Sequence, residues 1–178
     1  MKIVLFYNSK TGFTKKYADS IAQELDCDVK PYKDFEKTPI NADDIVIFGS
    51  RILAGRIEYL DKVKARVKSN LVVFAVGAAP ADAESTINKL WADNFTESEI
   101  NTIPHFYMQG GLDYDKMSFV SRSVMKTIAK LLSKKKDKTE EEADFEQAIS
   151  ASCNNSSKEY VMPLVDFVNQ MAIQKKEA

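Results

Sequence analysis

The chain has 178 residues, of which 44% are hydrophobic and 29% charged, and its formal net charge at pH 7 is −1. This composition is typical of a soluble globular protein with a core of its own, and a charge so close to zero argues against nucleic-acid binding. No apolar run is long enough to span a bilayer, and the start of the chain lacks a signal peptide, so we expect a cytoplasmic protein.

Predicted strands and helices alternate along the chain. The strands are short apolar runs bounded by polar residues or glycine, and the helices have hydrophobic residues at intervals of three and four. In chain order the predicted elements are a strand at 2–7, a helix at 14–25, a weaker strand at 27–32, a strand at 43–50, a helix at 57–67, a strand at 70–80, a helix at 83–91, a strand at 103–108 and a closing helix at 157–174.

This alternation predicts an α/β fold with a doubly wound, five-stranded parallel sheet between two layers of helices. We find no linker or repeat, so a single domain over residues 1–178 is expected. Residues 110–156 are too long for an ordinary connection and are predicted to be an inserted helical segment after the fifth strand.

Three glycine-containing loops follow the predicted strands, at residues 8–14, 50–56 and 77–82. Because the carboxyl ends of parallel strands lie at one edge of a sheet, the three loops should meet there, where such folds bind ligands. We expect no metal site, since Cys27 and Cys153 lack ligand spacing and His105 is the only histidine.

The first loop has the groups that a phosphate requires. It leads from a strand into a helix, whose first N–H groups are unpaired, and Ser9, Thr11 and Thr14 add hydroxyls. Gly12 allows close approach of the backbone. Neither the GxxxxGK[ST] nor the GxGxxG pattern is present. The alternative is that these side chains only cap the helix.

The segment "FYNSKTGFT" resembles the phosphate loop of the flavodoxin family, (S/T)-x-T-G-x-T, with matches at Ser9, Thr11, Gly12 and Thr14. The segments "VIFGSRILAGRI" and "GGLDYDKMSFVSRSVMK" resemble the branch of this family that contains menaquinone-dependent protoporphyrinogen oxidase. The resemblance implies a flavodoxin-like strand order of 2-1-3-4-5 and an FMN cofactor.

The resemblance also implies which residues bind FMN, although it identifies no catalytic residue. The residues implied at the phosphate are Ser9, Lys10 through its backbone, Thr11, Gly12, Phe13 and Thr14. The isoalloxazine ring would lie between Ser50, Arg51, Ile52, Leu53, Ala54 and Gly55 on one side and Gly77, Ala78, Ala79 and Asp82 on the other. Neither ring loop contains an aromatic residue, unlike many flavodoxins; Tyr59 lies just beyond the first.

Arg51 and Arg56 suggest how the protein would tune a bound flavin. A cation near the flavin N1 side would stabilise an anionic hydroquinone, which favours two-electron exchange with a quinone or organic substrate. Alternatively, either arginine is a solvated surface charge or pairs with Glu58 or Asp61.

The insertion contains a basic amphipathic helix within residues 116–136. Its predicted apolar face consists of Met117, Val120, Val124, Ile128 and Leu131. The pattern favours a helix that packs on its own domain, but such a helix can also lie on an anionic membrane surface or bind an acidic partner. In the membrane case, Tyr114 and this helix would shape a quinone or porphyrin groove.

The function predicted is that of an FMN-binding oxidoreductase that transfers electrons to a quinone, a porphyrinogen or a partner protein. The alternative is a simple electron carrier without a small-molecule substrate. We expect a cytoplasmic protein, with peripheral contact to the inner face of the membrane if the basic helix binds lipid. A response-regulator-like module is disfavoured, because the positions after the first two main strands lack its acidic residues.

Overall fold

The computed structural model describes residues 1–117 and 119–177. The strands are β1 (Ile3–Asn8), β2 (Asp28–Pro31), β3 (Ile45–Leu53), β4 (Arg56–Ile57), β5 (Leu71–Gly77), β6 (His105–Gln109), β7 (Gly111–Leu112) and β8 (Cys153–Asn154). The helices are α1 (Phe13–Leu25), α2 (Leu60–Arg66), α3 (Glu84–Asn94), α4 (Glu97–Thr102), α5 (Phe119–Lys134), α6 (Glu140–Ser150) and α7 (Met162–Glu177).

The central sheet contains five parallel strands in the order β2-β1-β3-β5-β6. Counted over the parallel strands alone, this is the predicted order 2-1-3-4-5, so the predicted fold class is confirmed. The register places Asn8 at the end of β1 beside Ser50 of β3, and Gly77 at the end of β5 beside Gln109 of β6. The three loops of the sequence analysis therefore leave the sheet from one edge.

Helices cover both faces of the sheet, which explains why the central strands are almost continuously apolar. Residues of α2 and α3, including Leu60 and Trp91, pack on one face. Residues of α1 and α7, including Ile21 and Leu164, pack on the other. The strand residues between them, such as Val46–Phe48, are fully buried.

The second loop differs from the prediction, because residues 50–53 continue β3 instead of forming a loop. Ile52 and Leu53 pair with β4 in an antiparallel hairpin, and the turn residues Ala54 and Gly55 have φ angles of 50° and 76°. As a result, the helix predicted from residue 57 begins only at Leu60. We refer to residues 50–57 as the β3–β4 hairpin.

The insertion forms a small separate sheet and two helices. Strands β7 and β8 pair antiparallel, and α5 packs along α6. The basic helix is confirmed as α5, but the prediction of its packing face was only partly right: Val124 and Leu131 are exposed, whereas Ile128 of the predicted face is half-buried, together with Met125 and Leu132. The side chain of Val120 lies outside the described residues, and the assignment of 110–156 as an insertion in one domain stays a prediction.

Candidate functional site

Residues 9–12 connect β1 to α1 in a left-handed turn; from here on, the first loop means residues 9–14, which include the first two residues of the helix. The helix begins after Gly12, whose φ of 99° and ψ of −19° favour glycine. A Cβ atom at this position would meet no atom within 4 Å, so the backbone conformation and not space requires the glycine. The Ser9 hydroxyl accepts a hydrogen bond of 3.2 Å from the Gly12 N–H and thereby stabilises the turn.

Most donors of the first loop have no partner within the described part of the chain. The first backbone bond of the helix joins the Lys16 N–H to the Gly12 carbonyl at 2.9 Å, and the N–H groups of Thr11, Phe13 and Thr14 precede it without acceptors. The hydroxyls of Thr11 and Thr14 form no hydrogen bond with the described residues either. These threonines therefore do not cap the helix. The N-cap residue is Gly12, and no side chain forms a capping hydrogen bond.

The β3–β4 hairpin has the opposite character, because its charges are already paired. The Arg51 side chain donates to Glu58 through Nε at 2.6 Å and through Nη2 at 3.0 Å. Asn8 adds a hydrogen bond of 2.9 Å from its Nδ2 to the same carboxylate and one of 3.2 Å to the Ser50 hydroxyl. This cluster, Asn8–Ser50–Arg51–Glu58, joins the carboxyl ends of β1 and β3.

The environment of Glu58 keeps its carboxyl ionised. Burial would raise its pKa, but hydrogen bonds from Arg51 and Asn8 and the charge of Arg51 outweigh burial, so that the pKa lies below its usual value. The Arg51 and Glu58 side chains are only 22% and 23% exposed, which shields the pair from solvent.

Arg51 and Arg56 thus pair with Glu58 and Asp61, as in the alternative that the sequence analysis gave. Arg56 is a surface residue whose Nη2 lies 3.8 Å from Asp61 Oδ2, and it donates to the Asp93 carbonyl. Arg51 is compensated by Glu58. The hairpin therefore offers no unpaired arginine to a flavin ring.

The third loop, residues 77–82, is anchored by two side chains of β6. The Tyr107 hydroxyl donates to the Ala79 carbonyl at 2.7 Å, and the Ala81 N–H donates to Gln109 Oε1 at 3.3 Å. Burial raises the pKa of Tyr107 well above its usual value, so the hydroxyl remains a donor. Asp82 is exposed and forms no ion pair with the described residues.

The hairpin and the third loop contact each other directly. An ideal Cβ on Gly77 would lie 2.8 Å from Ile52 Cδ1 and 2.7 Å from the Tyr107 hydroxyl oxygen, so a larger residue there would require these side chains to shift. The structure thus brings Ile52 of the predicted ring site against Gly77, while Leu53, Ala54 and Gly55 are exposed at the hairpin tip.

The sequence analysis gave several residues at this edge no part in the site, and it named Glu58 only as a possible partner of an arginine. Asn8 and Glu58 bind the hairpin, and Tyr107 and Gln109 hold the third loop. Polar residues at the carboxyl end of a buried strand were the available signal for Asn8 and Gln109. For Glu58 the nearby arginines were the signal, but its bond to Asn8 depends on where the hairpin folds back.

A cavity of about 530 Å³ lies between the first loop and the insertion. Its wall is formed by loop and insertion residues together: Thr11, Gly12, Phe13, Lys16, Leu112, Asp113, Asp115, Lys116, Ser152, Cys153 and Asn154. Tyr114 holds the insertion together by donating to the Ile149 carbonyl, and its role in a groove stays a prediction. The insertion therefore borders the first loop.

Comparisons with known proteins identify the family. Residues 4–139 match the sequence model of the flavodoxin domain. The comparison with curated proteins found no match. Similar solved structures include a flavodoxin from the domain Archaea, with 16% identity, a TM-score of 0.35 and coverage of 65% of this chain and 88% of that chain.

Another similar structure is rubredoxin oxygen:oxidoreductase from Desulfovibrio gigas, with 15% identity and a TM-score of 0.38. The match covers 83% of this chain but only 36% of that chain. The assignment rests on the domain match, which spans well over half of the sequence. This chain belongs to the flavodoxin family.

Proposed function

We propose that this protein binds FMN and transfers electrons from a reductant to a quinone, a porphyrinogen or a partner protein. Membership of the flavodoxin family implies a flavin cofactor. The observation that carries the proposal is the set of unpaired donors in the first loop. When bound, the flavin supplies the redox chemistry, and the protein supplies position and electrostatics.

The first loop fits the phosphate of FMN by its donor set. The N–H groups of Thr11, Phe13 and Thr14 lack acceptors among the described residues, and the hydroxyls of Thr11 and Thr14 add to them. These donors stand at the positive end of the α1 dipole, which favours an anion. In this assignment Ser9 and Gly12 hold the loop in the conformation that binds the phosphate.

The flavin ring is assigned to the space beside the β3–β4 hairpin and the third loop, where Leu53 is 44% exposed. The Arg51–Glu58 pair makes this edge nearly neutral. Tyr59 is the aromatic residue near the hairpin, and its ring stacks on Tyr32 with centroids 4.2 Å apart. In our proposal the hairpin therefore contributes apolar contact, and little net charge, to ring binding.

Resemblance to the protoporphyrinogen oxidase branch supports a quinone or porphyrinogen as acceptor. A simple electron carrier is the second candidate, and it is favoured by the exposed residues Leu53, Ala54 and Gly55 at the tip of the hairpin, where a protein partner could approach the ring edge. Measuring the oxidation of the reduced protein by different acceptors distinguishes the oxidoreductase from the electron carrier. Steady oxidation of the reduced protein by a soluble menaquinone analogue supports the first, whereas oxidation by a redox protein alone supports the second.

The proposal is tested by titrating the purified protein with FMN, FAD and riboflavin while flavin absorption and fluorescence are recorded. We expect tight binding of FMN and much weaker binding of riboflavin, since riboflavin lacks the phosphate. Equal affinities for FMN and riboflavin would contradict the role of the first loop. No binding of any flavin would contradict the proposed function.

A further inference from the structure

Three large apolar side chains of α5 are exposed in the part of the chain that the structure describes. Phe119 is 85% exposed, Val124 51% and Leu131 66%. The helix already uses a different face, with Met125 and Leu132, for packing within the insertion. Val124 and Leu131, seven residues apart, share one side of the helix, and Phe119 lies on the side of Lys126 and Lys130. An amphipathic helix that only packs on its own domain needs one apolar face, so these further exposed side chains call for a binding partner.

The same segment is strongly cationic. Residues 116–136 contain seven basic residues and no acidic one, namely Lys116, Arg122, Lys126, Lys130, Lys134, Lys135 and Lys136. Lys126, Lys130 and Lys134 are spaced by four residues and lie along one side of the helix. None of these three forms an ion pair within the described ranges, whereas Lys135 pairs with Glu142 at 2.6 Å.

We propose that α5 is a membrane-docking helix that lies on an anionic lipid surface. Its lysines would contact acidic headgroups, and Phe119, Val124 and Leu131 would enter the region beneath them. Isolated protruding apolar side chains flanked by long lysines suit a lipid interface, where the lysine stems extend to the headgroups. No helix in the described ranges is long and apolar enough to cross a bilayer, so the contact is peripheral.

This inference does not depend on flavin binding. The test is co-sedimentation of the full-length protein with vesicles of phosphatidylcholine alone or mixed with phosphatidylglycerol, at low and high salt. We expect binding only to the anionic vesicles, and weaker binding at high salt. The absence of pelleting with anionic vesicles at low salt would overturn the proposal.

Two variants test the residues. Lys126→Glu/Lys130→Glu/Lys134→Glu should reduce the partition coefficient by on the order of a hundredfold, at roughly fivefold for each lysine lost near the surface. Lys33→Glu/Lys37→Glu/Lys176→Glu is the matched control, since it makes the same change of charge at exposed positions outside α5. Equal losses in both variants would mean that net charge alone attracts the vesicles and would contradict docking by α5.

The second variant, Phe119→Ser/Val124→Ser/Leu131→Ser, keeps every charge and should lower binding at least tenfold if these side chains enter the membrane. Unchanged binding would overturn insertion. If the protein does not bind vesicles but binds polyglutamate through the three lysines, the membrane proposal is overturned, and α5 would bind an acidic protein partner. FMN affinity should stay the same in all variants, which separates this test from that of the proposed function.

Discussion

The first loop and the β3–β4 hairpin lie side by side at one edge of the sheet, but they differ in whether their polar groups are hydrogen-bonded. In the first loop, backbone N–H groups and two threonine hydroxyls have no partner among the described residues. In the hairpin, Arg51, Glu58, Asn8 and Ser50 satisfy one another. Unpaired donors are available to a ligand, whereas paired charges stabilise the fold.

This difference separates cofactor binding from stability. Substitutions in the first loop should weaken the binding of the phosphate and change stability little. Substitutions in the hairpin and in the loop that it contacts should change the free energy of unfolding and change phosphate recognition little. The following five predictions test this separation, in decreasing order of the expected effect.

Thr11→Val/Thr14→Val should weaken FMN binding by at least a hundredfold, because each hydroxyl bonded to a charged phosphate contributes roughly 1.5–3 kcal/mol. Riboflavin binding should be unchanged. The matched control is Thr102→Val, which removes an exposed hydroxyl that bonds only to the Ser98 carbonyl. Similar losses for FMN and riboflavin would show that the variant disturbs the fold or the ring site.

Gly77→Ala should lower the free energy of unfolding by about 1–3 kcal/mol, as overpacked positions do. The new Cβ would lie 2.7 Å from the Tyr107 hydroxyl oxygen and 2.8 Å from Ile52 Cδ1. The comparison is Gly12→Ala, where there is space for the Cβ and only the positive φ is unfavourable. Urea denaturation of both variants measures the difference, and a fully stable Gly77→Ala protein would contradict the close contact.

Glu58→Gln should destabilise the protein by about 1–2 kcal/mol, because it leaves Arg51 half-buried without a counter-charge; partial exposure reduces the effect. Asp61→Asn is the control, since the Asp61 side chain is 76% exposed and should matter little. Equal stabilities of the wild type and Glu58→Gln in urea would argue against the hairpin cluster.

The same residue predicts a pH dependence. The pKa of Glu58 is lower in the folded protein than its ordinary value of 4.5. Its contribution to stability is therefore complete above pH 4.5 and is lost as the pH falls through the lowered pKa. As the pH falls from 4.5 through the lowered pKa, the free energy of unfolding should decrease less in Glu58→Gln than in the wild type.

Ala54→Asn should have the smallest effect, a stabilisation of about 0.5–1 kcal/mol. Ala54 has a φ of 50° in an exposed two-residue turn, a conformation that asparagine tolerates better than alanine. Gly55→Ala, at a φ of 76°, should change stability in the opposite direction. A destabilised Ala54→Asn variant would mean that the turn has another geometry.

The sequence predicted the parallel sheet well because strands such as β3 and β5 are buried on both faces and appear as unbroken apolar runs. The hairpin was missed because residues 51–53 extend beyond the core, where the apolar run ends and burial no longer marks the strand. Helix α4 was missed as well, although Thr96 and Glu99 form a capping box at its start.

The candidate site was only partly predictable for a related reason. The residues of the first loop are contiguous, so their chemistry can be seen in one segment. The partner of Arg51 depends on the fold-back of the hairpin, and Asn8 reaches Glu58 across 50 positions. For α5, two apolar stripes overlap on one helix, and spacing alone could not determine which of them packs on α6.

The most direct test of the central claim is an amide-resolved NMR titration of the protein with FMN and, separately, with riboflavin. We predict that FMN shifts the backbone amides of Thr11, Gly12, Phe13 and Thr14 strongly, and that riboflavin leaves these amides nearly unchanged while it shifts those of the hairpin and the third loop. Equal shifts of the four amides by both ligands, or no shift by FMN, would contradict phosphate binding by the first loop.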